Sequence, residues 1–255
     1  MATTLRVDGI SKRFGGLAAL SDVTMEARPA AITGLIGQNG AGKTTLINVI
    51  SGQLRPDAGR VFAGERELTG LPAWRIPRAG VVRSFQQLRL FPNLSARDNV
   101  VLALGEDPGE SLWRILARPL AVSRHGRRAL AEAEAILDRL GLADIAGTPA
   151  ALLSYGLQKL VSLARCIASG AGVVMLDEPT SGLAPDAVGR ILDVVRGLRA
   201  EGRTVLLVEH DMDVLFALSD WIVVMNQGQV FAQGRPDEVR ANAGVRDIYF
   251  GNRVA

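Results

Sequence analysis

A single cysteine, Cys166, occurs in 255 residues. An internal disulfide and a cysteine-built zinc site are therefore excluded, and a reducing compartment suits the chain. No apolar run approaches the ~18 to 20 residues that a membrane span requires, so any membrane role is expected to come through a partner. No block of Lys and Arg appears, and the formal charge is only +3. A nucleic-acid partner is not expected on that balance. The first residues lack the charged-then-apolar pattern of a secretory leader. Internal repeats, low-complexity stretches and heptad runs are also missing. What is plentiful is apolar content, 48%, enough for one large α/β domain or one domain carrying an insertion.

The most informative stretch is GQNGAGKTT, residues 37–45. It fits the spacing Gly-x4-Gly-Lys-Thr, with Gly37, Gly42, Lys43 and Thr44 at the fixed places. In that pattern backbone N–H groups wrap a polyphosphate, the lysine reaches its outer charges and the threonine offers a hydroxyl to Mg²⁺. Chance alone produces such a match in a chain of this composition about 0.3% of the time. The flanks agree. An apolar run over residues 31–36 reads as a buried strand, and Leu46, Ile47, Val49 and Ile50 recur at helical spacing before Gly52. Strand, glycine loop and helix together aim a helix N-terminus at an anion.

Elsewhere, residues 4–30 alternate in short pieces around Gly15-Gly16 and read as antiparallel strands, with a further strand over residues 59–64. Residues 80–82 form a short core strand leading to Gln86. From Pro92 to about Ala150 the composition changes to a helical insertion. Ser95-x-x-Asp98 resembles a capping box that opens a helix through Val100 and Leu104. Leu130, Ala133, Leu137 and Leu140 fall on one face of a second helix, which Gly141 stops. Strands over 172–177, 204–208 and 221–225 then alternate with a helix over 185–200, which implies a parallel sheet covered by helices. Between them, residues 111–128 interleave Trp113, Ile115 and Leu116 with Arg114, Arg118 and Arg124. This reads as a membrane-surface helix or as ordinary packing with a solvated basic face.

Three further features bear on chemistry. The apolar strand ending at Leu176 delivers Asp177 and Glu178 to its C-terminal end, where ligands bind in open α/β sheets. Asp177 is expected to hold Mg²⁺ or its water, and Glu178 to polarise an attacking water. The strand over 205–208 ends in Glu209-His210, and His210 is expected to donate to a terminal phosphate. Ser154 and Gly156, at the start of an apolar-patterned helix, make a second anion-type site that suits a nucleotide on another subunit.

Taken in order, these residues resemble the ATP-binding cassette (ABC) transporter ATPases over essentially the whole chain. GQNGAGKTT matches the family's Walker A loop, VVMLDE its Walker B strand, LSYGLQ its signature, Ser181-Gly-Leu-Ala184 its D-loop and His210 its H-loop. Gln86 matches the glutamine that senses Mg²⁺ and water beside the membrane subunit, and Phe14 resembles the aromatic that stacks on adenine. The resemblance implies an α/β P-loop NTPase with a RecA-like parallel sheet core, an N-terminal antiparallel β subdomain and a helical insertion. Residues 1–92 and 155–255 would form the core with its β subdomain, and residues 93–154 the helical subdomain. It implies ATP and Mg²⁺ as ligands, bound by Phe14, by Gly37, Gln38, Asn39, Gly40, Ala41, Gly42, Lys43, Thr44 and Thr45, and, from the facing subunit, by Ser154 and Gly156. Thr44, Gln86 and Asp177 would attend the metal; Glu178, His210, Gln86 and Lys43 would serve catalysis.

KRFGGLAAL, VVRSFQQLRLFPNLSARDNV, SGLAP and VEHDM are similar to the ATPases of branched-chain or hydrophobic amino-acid uptake systems. Urea or amide importers, and exporters such as the lipopolysaccharide export type, share much of this layout. The implied partners are a second cassette, identical or different, two transmembrane permease subunits and, indirectly, an extracytoplasmic solute-binding protein. The implied location is the cytoplasmic face of the cell membrane. Departures from the family pattern are Leu157 in the signature, Ala184 in the D-loop and Gln38 in place of a common proline.

Overall fold

The computed structural model describes residues 3–84, 90–104 and 119–250, with backbone only for 119–125 and 249–250. Strands β1 (Leu5–Phe14) and β2 (Leu17–Ala27) form a hairpin. Strand β3 (Ile32–Gly37) leads into helix α1 (Lys43–Ile50), after which β4 (Ala58–Ala63) and β5 (Arg66–Glu67) return to β1. Strand β6 (Val81–Ser84) precedes helices α2 (Ala96–Val101), α3 (Pro119–Arg139) and α4 (Tyr155–Ala168). Then follow β7 (Val173–Asp177), α5 (Pro185–Ala200), β8 (Thr204–Val208) and α6 (Met212–Leu218). A final hairpin of β9 (Trp221–Asn226) and β10 (Gln229–Gly234) is followed by α7 (Pro236–Ala241) and α8 (Ala243–Phe250).

The chain divides into two compact units: Met1–Arg83 with Ala171–Ser181 and Val195–Ala255, and Ser84–Gly170 with Gly182–Val194. The first holds both sheets. One is four-stranded, ordered β2-β1-β4-β5, with antiparallel pairing throughout. The other is six-stranded, ordered β10-β9-β3-β8-β7-β6, with β9, β3, β8 and β7 parallel. Every residue of β3, β7 and β8 is buried, as strands covered on both faces require, so these segments read as unbroken apolar runs. In β1 burial instead alternates at the start, Leu5 and Val7 inside and Arg6 outside.

One core lies between the two sheets. Leu46, Ile47 and Ile50 of α1 join Val7, Ile10 and Val23 of the antiparallel sheet and Met175, Leu206 and Val223 of the parallel one. Each fully buried side chain of this size contributes roughly 1.5–3 kcal/mol. A smaller cluster, Ile36, Leu215, Ile222, Val224, Val239 and Val245, binds α6, α7 and α8 to the sheet. There α6 approaches so closely that a Cβ on Gly34 would stand 2.8 Å from Leu215 Cδ2.

The second unit is helical. Ser95 caps α2 by accepting the Asp98 N–H at 3.1 Å, as the spacing predicts. The helix stops at Val101, however, short of Leu104. Ala103 and Leu104 bond carbonyls three residues back, at Val100 and Val101, which tightens and ends the last turn. Helix α3 is described over Pro119–Arg139. Among its described side chains Ala133, Ile136 and Leu137 are buried, whereas Leu130, expected on the same face, is 37% exposed. Gly141, at φ 66°, ends α3 as expected, with the Leu142 N–H closing on the Leu137 carbonyl.

Candidate functional site

The glycine loop joins β3 to α1. Gly40 and Gly42 take φ of 81° and 100°, the left-handed region that a side chain disfavours. At Gly42 the backbone also passes so near β2 that a Cβ would lie 2.7 Å from the Ala19 carbonyl oxygen. The first bond inside α1 is Leu46 N–H to the Gly42 carbonyl, 2.9 Å. The amides of Lys43, Thr44 and Thr45 are therefore the orphan donors of the helix start. No side chain caps this end and no acid occupies its first turn, so the positive end of the helix is left for a ligand.

Lys43 is 8% exposed and its Nζ donates to the carbonyls of Gly37 at 2.5 Å and Gln38 at 3.1 Å. Burial pulls its pKa below the usual 10.5, with the Glu178 and Asp177 carboxylates pulling the other way. Gln38, Asn39, Gly40 and Thr44 are exposed, Ala41 is buried, and Thr45 is half-buried. Gln38 Nε2 donates to the Ile248 carbonyl of α8 at 2.6 Å.

Adjacent strand ends bring the acids to the same side of the sheet. Asp177, the last residue of β7, is 8% exposed, and its Oδ2 accepts from Arg83 Nη2 at 2.6 Å. Glu178 follows with φ at 50°. A non-glycine residue in that region is a local strain of the kind that collects at functional positions. Its N–H still bonds the Val208 carbonyl of β8, 2.9 Å away, which fixes the turn to the sheet. Glu178 Oε1 lies 2.6 Å from His210 Nε2. Glu209, directly after β8, is only 4% exposed and accepts both the N–H and the hydroxyl of Thr180, at 2.9 and 2.8 Å. Burial pushes the Glu209 carboxyl above its usual range, while those bonds, the His210 N–H and the nearby Glu178 temper or add to the shift.

The first unit thus gathers the loop, Lys43, Asp177, Glu178 and His210. Phe14, the last residue of β1, is also in this unit; it is half exposed, with Lys12 Nζ 5.9 Å from its ring. Ser154 and Gly156 belong to the second unit. Ser154 is the N-cap of α4 and accepts the Leu157 N–H at 3.4 Å. A Cβ on Gly156 would meet Ala187 Cβ at 3.5 Å, ordinary contact, so packing within the chain does not demand glycine there. Gln86 and residues 111–118 lie outside the described residues.

The donor set fits a polyphosphate: a row of backbone amides, a buried ammonium and a helix N-terminus, with no competing acid in the loop. It also fits Mg²⁺, which takes one or two protein oxygens and keeps the rest of its shell for phosphates and water. The Thr44 hydroxyl and Asp177 supply such oxygens. Among the described residues no cluster of three or more His, Cys, Asp and Glu side chains could build an all-protein metal cage. Two residues of the site go beyond the sequence reading. Arg83 is a charge inside a short core strand, and Glu209 is an acid directly after an apolar run; both signals are visible in the sequence, but their partners lie far along the chain.

The ABC transporter family model matches residues 20–181. The chain is 40% identical over 248 residues to the high-affinity branched-chain amino acid transport ATP-binding protein LivG of Salmonella typhimurium, covering 97% of both chains. It is 38% identical to BraF of Pseudomonas aeruginosa, a protein of the same description, again over 97% of each. Among solved structures, a nucleotide-free ATP-binding cassette from an ABC transporter superimposes with a TM-score of 0.82 at 32% identity, over 98% of this chain and 99% of that one. The ADP conformation of MJ1267, another such cassette, gives 0.82 at 31% identity, over 98% and 100%. The phosphate loop, the strand-end acids and these likenesses over nearly the full length lead to one conclusion: this chain belongs to the ABC transporter family, as an ATP-binding cassette.

Proposed function

We propose that this chain is the ATP-hydrolysing subunit of an importer for branched-chain or other hydrophobic amino acids. The observation that carries the hydrolytic reading is Glu178, placed in the field of Lys43 with its carboxylate 2.6 Å from His210 Nε2. The solute class rests on the 38–40% identity to LivG and BraF.

In this reading the loop from Gly37 through Gln38, Asn39, Gly40, Ala41 and Gly42 to Thr45 wraps the phosphates of ATP with its backbone amides. Lys43 turns from the Gly37 and Gln38 carbonyls to the outer phosphate charges, and Phe14 stacks on the base. Thr44, Asp177 and Gln86 hold Mg²⁺, which when bound offsets the charge that develops on the phosphate oxygens. Glu178 accepts a hydrogen bond from the attacking water, orients it and takes its proton, and His210 moves from Glu178 to donate to the terminal phosphate. Ser154 and Gly156 offer their helix start to the nucleotide of a second cassette, identical or different. Closure of that dimer drives two transmembrane permease subunits, which receive solute from a binding protein outside. The cassette works at the cytoplasmic face of the membrane, and no nucleic acid takes part.

The test is Glu178→Gln. Loss of general-base action typically lowers a rate by about 10²- to 10⁴-fold, so phosphate release should fall by that order while bound ATP is retained. Near-normal hydrolysis would remove Glu178 from the role. Co-purification with the permeases, followed by solute-stimulated ATPase assays, tests the solute class.

A further inference from the structure

We propose that Arg83 is a positioning residue of this ATP site, holding the two elements that carry the Mg²⁺-binding oxygens in one fixed relation. The inference rests on the reading of Thr44 and Asp177 as those oxygens.

Arg83 lies in β6, with Val82 and Ser84 on either side. Its guanidinium reaches two elements at once. Nη2 donates to Asp177 Oδ2 at the end of β7, 2.6 Å away, and Nη1 donates to Asn48 Oδ1 of α1 at 2.7 Å. Ser51 Oγ, just past α1, lies a further 3.5 Å from Nη1. The Arg83 and Asp177 side chains are 8% and 9% exposed, so the pair is shielded from water.

A buried ion pair is weak evidence for stability, because desolvation offsets its attraction and an apolar pair of equal volume often packs as well. A specific geometric task explains its presence better. Helix α1 carries Thr44 in its first turn and Asn48 one turn later, while β7 carries Asp177. The guanidinium fork ties one to the other. It also engages Oδ2 of Asp177, which leaves Oδ1 as the oxygen free to turn toward a cation. A planar fork with several fixed donors can do both tasks; a lysine ammonium is a single point charge and cannot reproduce the two-armed geometry. Groups that orient a metal's protein ligands in this way typically change metal affinity by about 10- to 100-fold when removed.

The experiment measures ATP binding at equilibrium, by calorimetry, with Mg²⁺ and with a chelator, on the full chain. The quantity read is the ratio of the two affinities, alongside the thermal midpoint. In Arg83→Lys and Arg83→Met the affinity without Mg²⁺ should stay within about twofold, while the enhancement by Mg²⁺ should fall by about tenfold. Asn48→Ala, which cuts only the arm to α1, should lower the enhancement by a smaller factor, about threefold. A purely structural role would lower the thermal midpoint and leave the ratio alone. Should Arg83→Met fail to fold, Arg83→Lys and Asn48→Ala carry the test. A wild-type Mg²⁺ enhancement in Arg83→Lys would overturn the proposal. If the unmodified chain bound ATP with no enhancement by Mg²⁺, the reading of Thr44 and Asp177 would fail instead, and the two failures are thus distinct.

Discussion

A carboxylate closed in by strand ends is tolerable when it is hydrogen-bonded or when it keeps its proton, and Glu209 shows both influences. Its bonds from Thr180 hold the turn that follows Glu178, while burial raises its pKa above the ordinary value near 4.5. The raised folded-state pKa means that the native chain binds more protons than the unfolded chain between the two values. Stability is therefore fully present below the unfolded pKa and declines as pH rises through the folded one. Glu209→Gln keeps an oxygen to accept from Thr180 but cannot ionise. Denaturant unfolding of both proteins across a pH series should show the wild type losing stability relative to Glu209→Gln as pH climbs above about 4.5. Parallel profiles would mean that Glu209 has no such coupling. Since Thr180 is two residues from Glu178, the same variant should leave nucleotide binding intact and change hydrolysis only modestly.

At the scale of the element, Asn99 decides how α2 is attached. It is fully buried, and its amide nitrogen donates to the carbonyls of Phe91, Leu94 and Ser95 at 3.0–3.2 Å while its oxygen accepts the Phe91 N–H at 2.9 Å. One side chain thus fixes the five residues that lead into the helix. In Asn99→Ala those backbone groups lose their partner, at a cost of roughly 1–3 kcal/mol. Unfolding in urea should show the loss, and amide exchange should quicken at Phe91. A variant as stable as the wild type would place the anchor elsewhere, in the bonds from Ala96 to Thr148 and from Ala150 to Leu94. The contrast with other elements shows what local sequence can carry. Helix α5, Pro185–Ala200, and strand β8, Thr204–Val208, have the bounds their patterns indicate. A proline opens the first, and an unbroken apolar run marks the second. The glycine loop is equally legible because its spacing is its function. Strand β10 is not: Gln229, Ala232 and Gln233 give an edge strand with little apolar signal, and its place is set by pairing with β9. The contacts of Arg83 and Glu209 are hidden for the same reason, since Arg83 and Asp177 stand 94 residues apart and no local period links them. Leu130 carries the right residue type at the right spacing, yet it is exposed while Ala133, Ile136 and Leu137 are buried.

For the molecule as a whole, the proposed reading has one chain carry two halves of different sites. The first unit presents Lys43, Glu178 and His210; the second presents Ser154, exposed at the start of α4, beside Leu152 at 76% and Tyr155 at 46% exposure. Apolar side chains so open, next to a helix N-terminus whose first turn holds no acid, are suited to a facing surface that brings an anion. No described helix is long and apolar enough to cross a membrane. If two copies close head to tail, each ATP lies between one copy's Lys43 and the other's Ser154. Lesions can then be arranged to separate the halves. Place Ser154→Arg in one tagged copy and Lys43→Ala in the other: both defects fall in the same composite site, and the second site stays whole. Place both in one copy beside a wild-type partner, and each site receives one defect. The first arrangement should keep roughly half the hydrolysis per dimer, treating the sites as independent, and the second almost none. Purification on both tags followed by phosphate-release assays distinguishes them. The reverse pattern, almost none in the first arrangement and about half in the second, would show that Ser154 acts within its own chain, and the head-to-tail pairing would have to be abandoned.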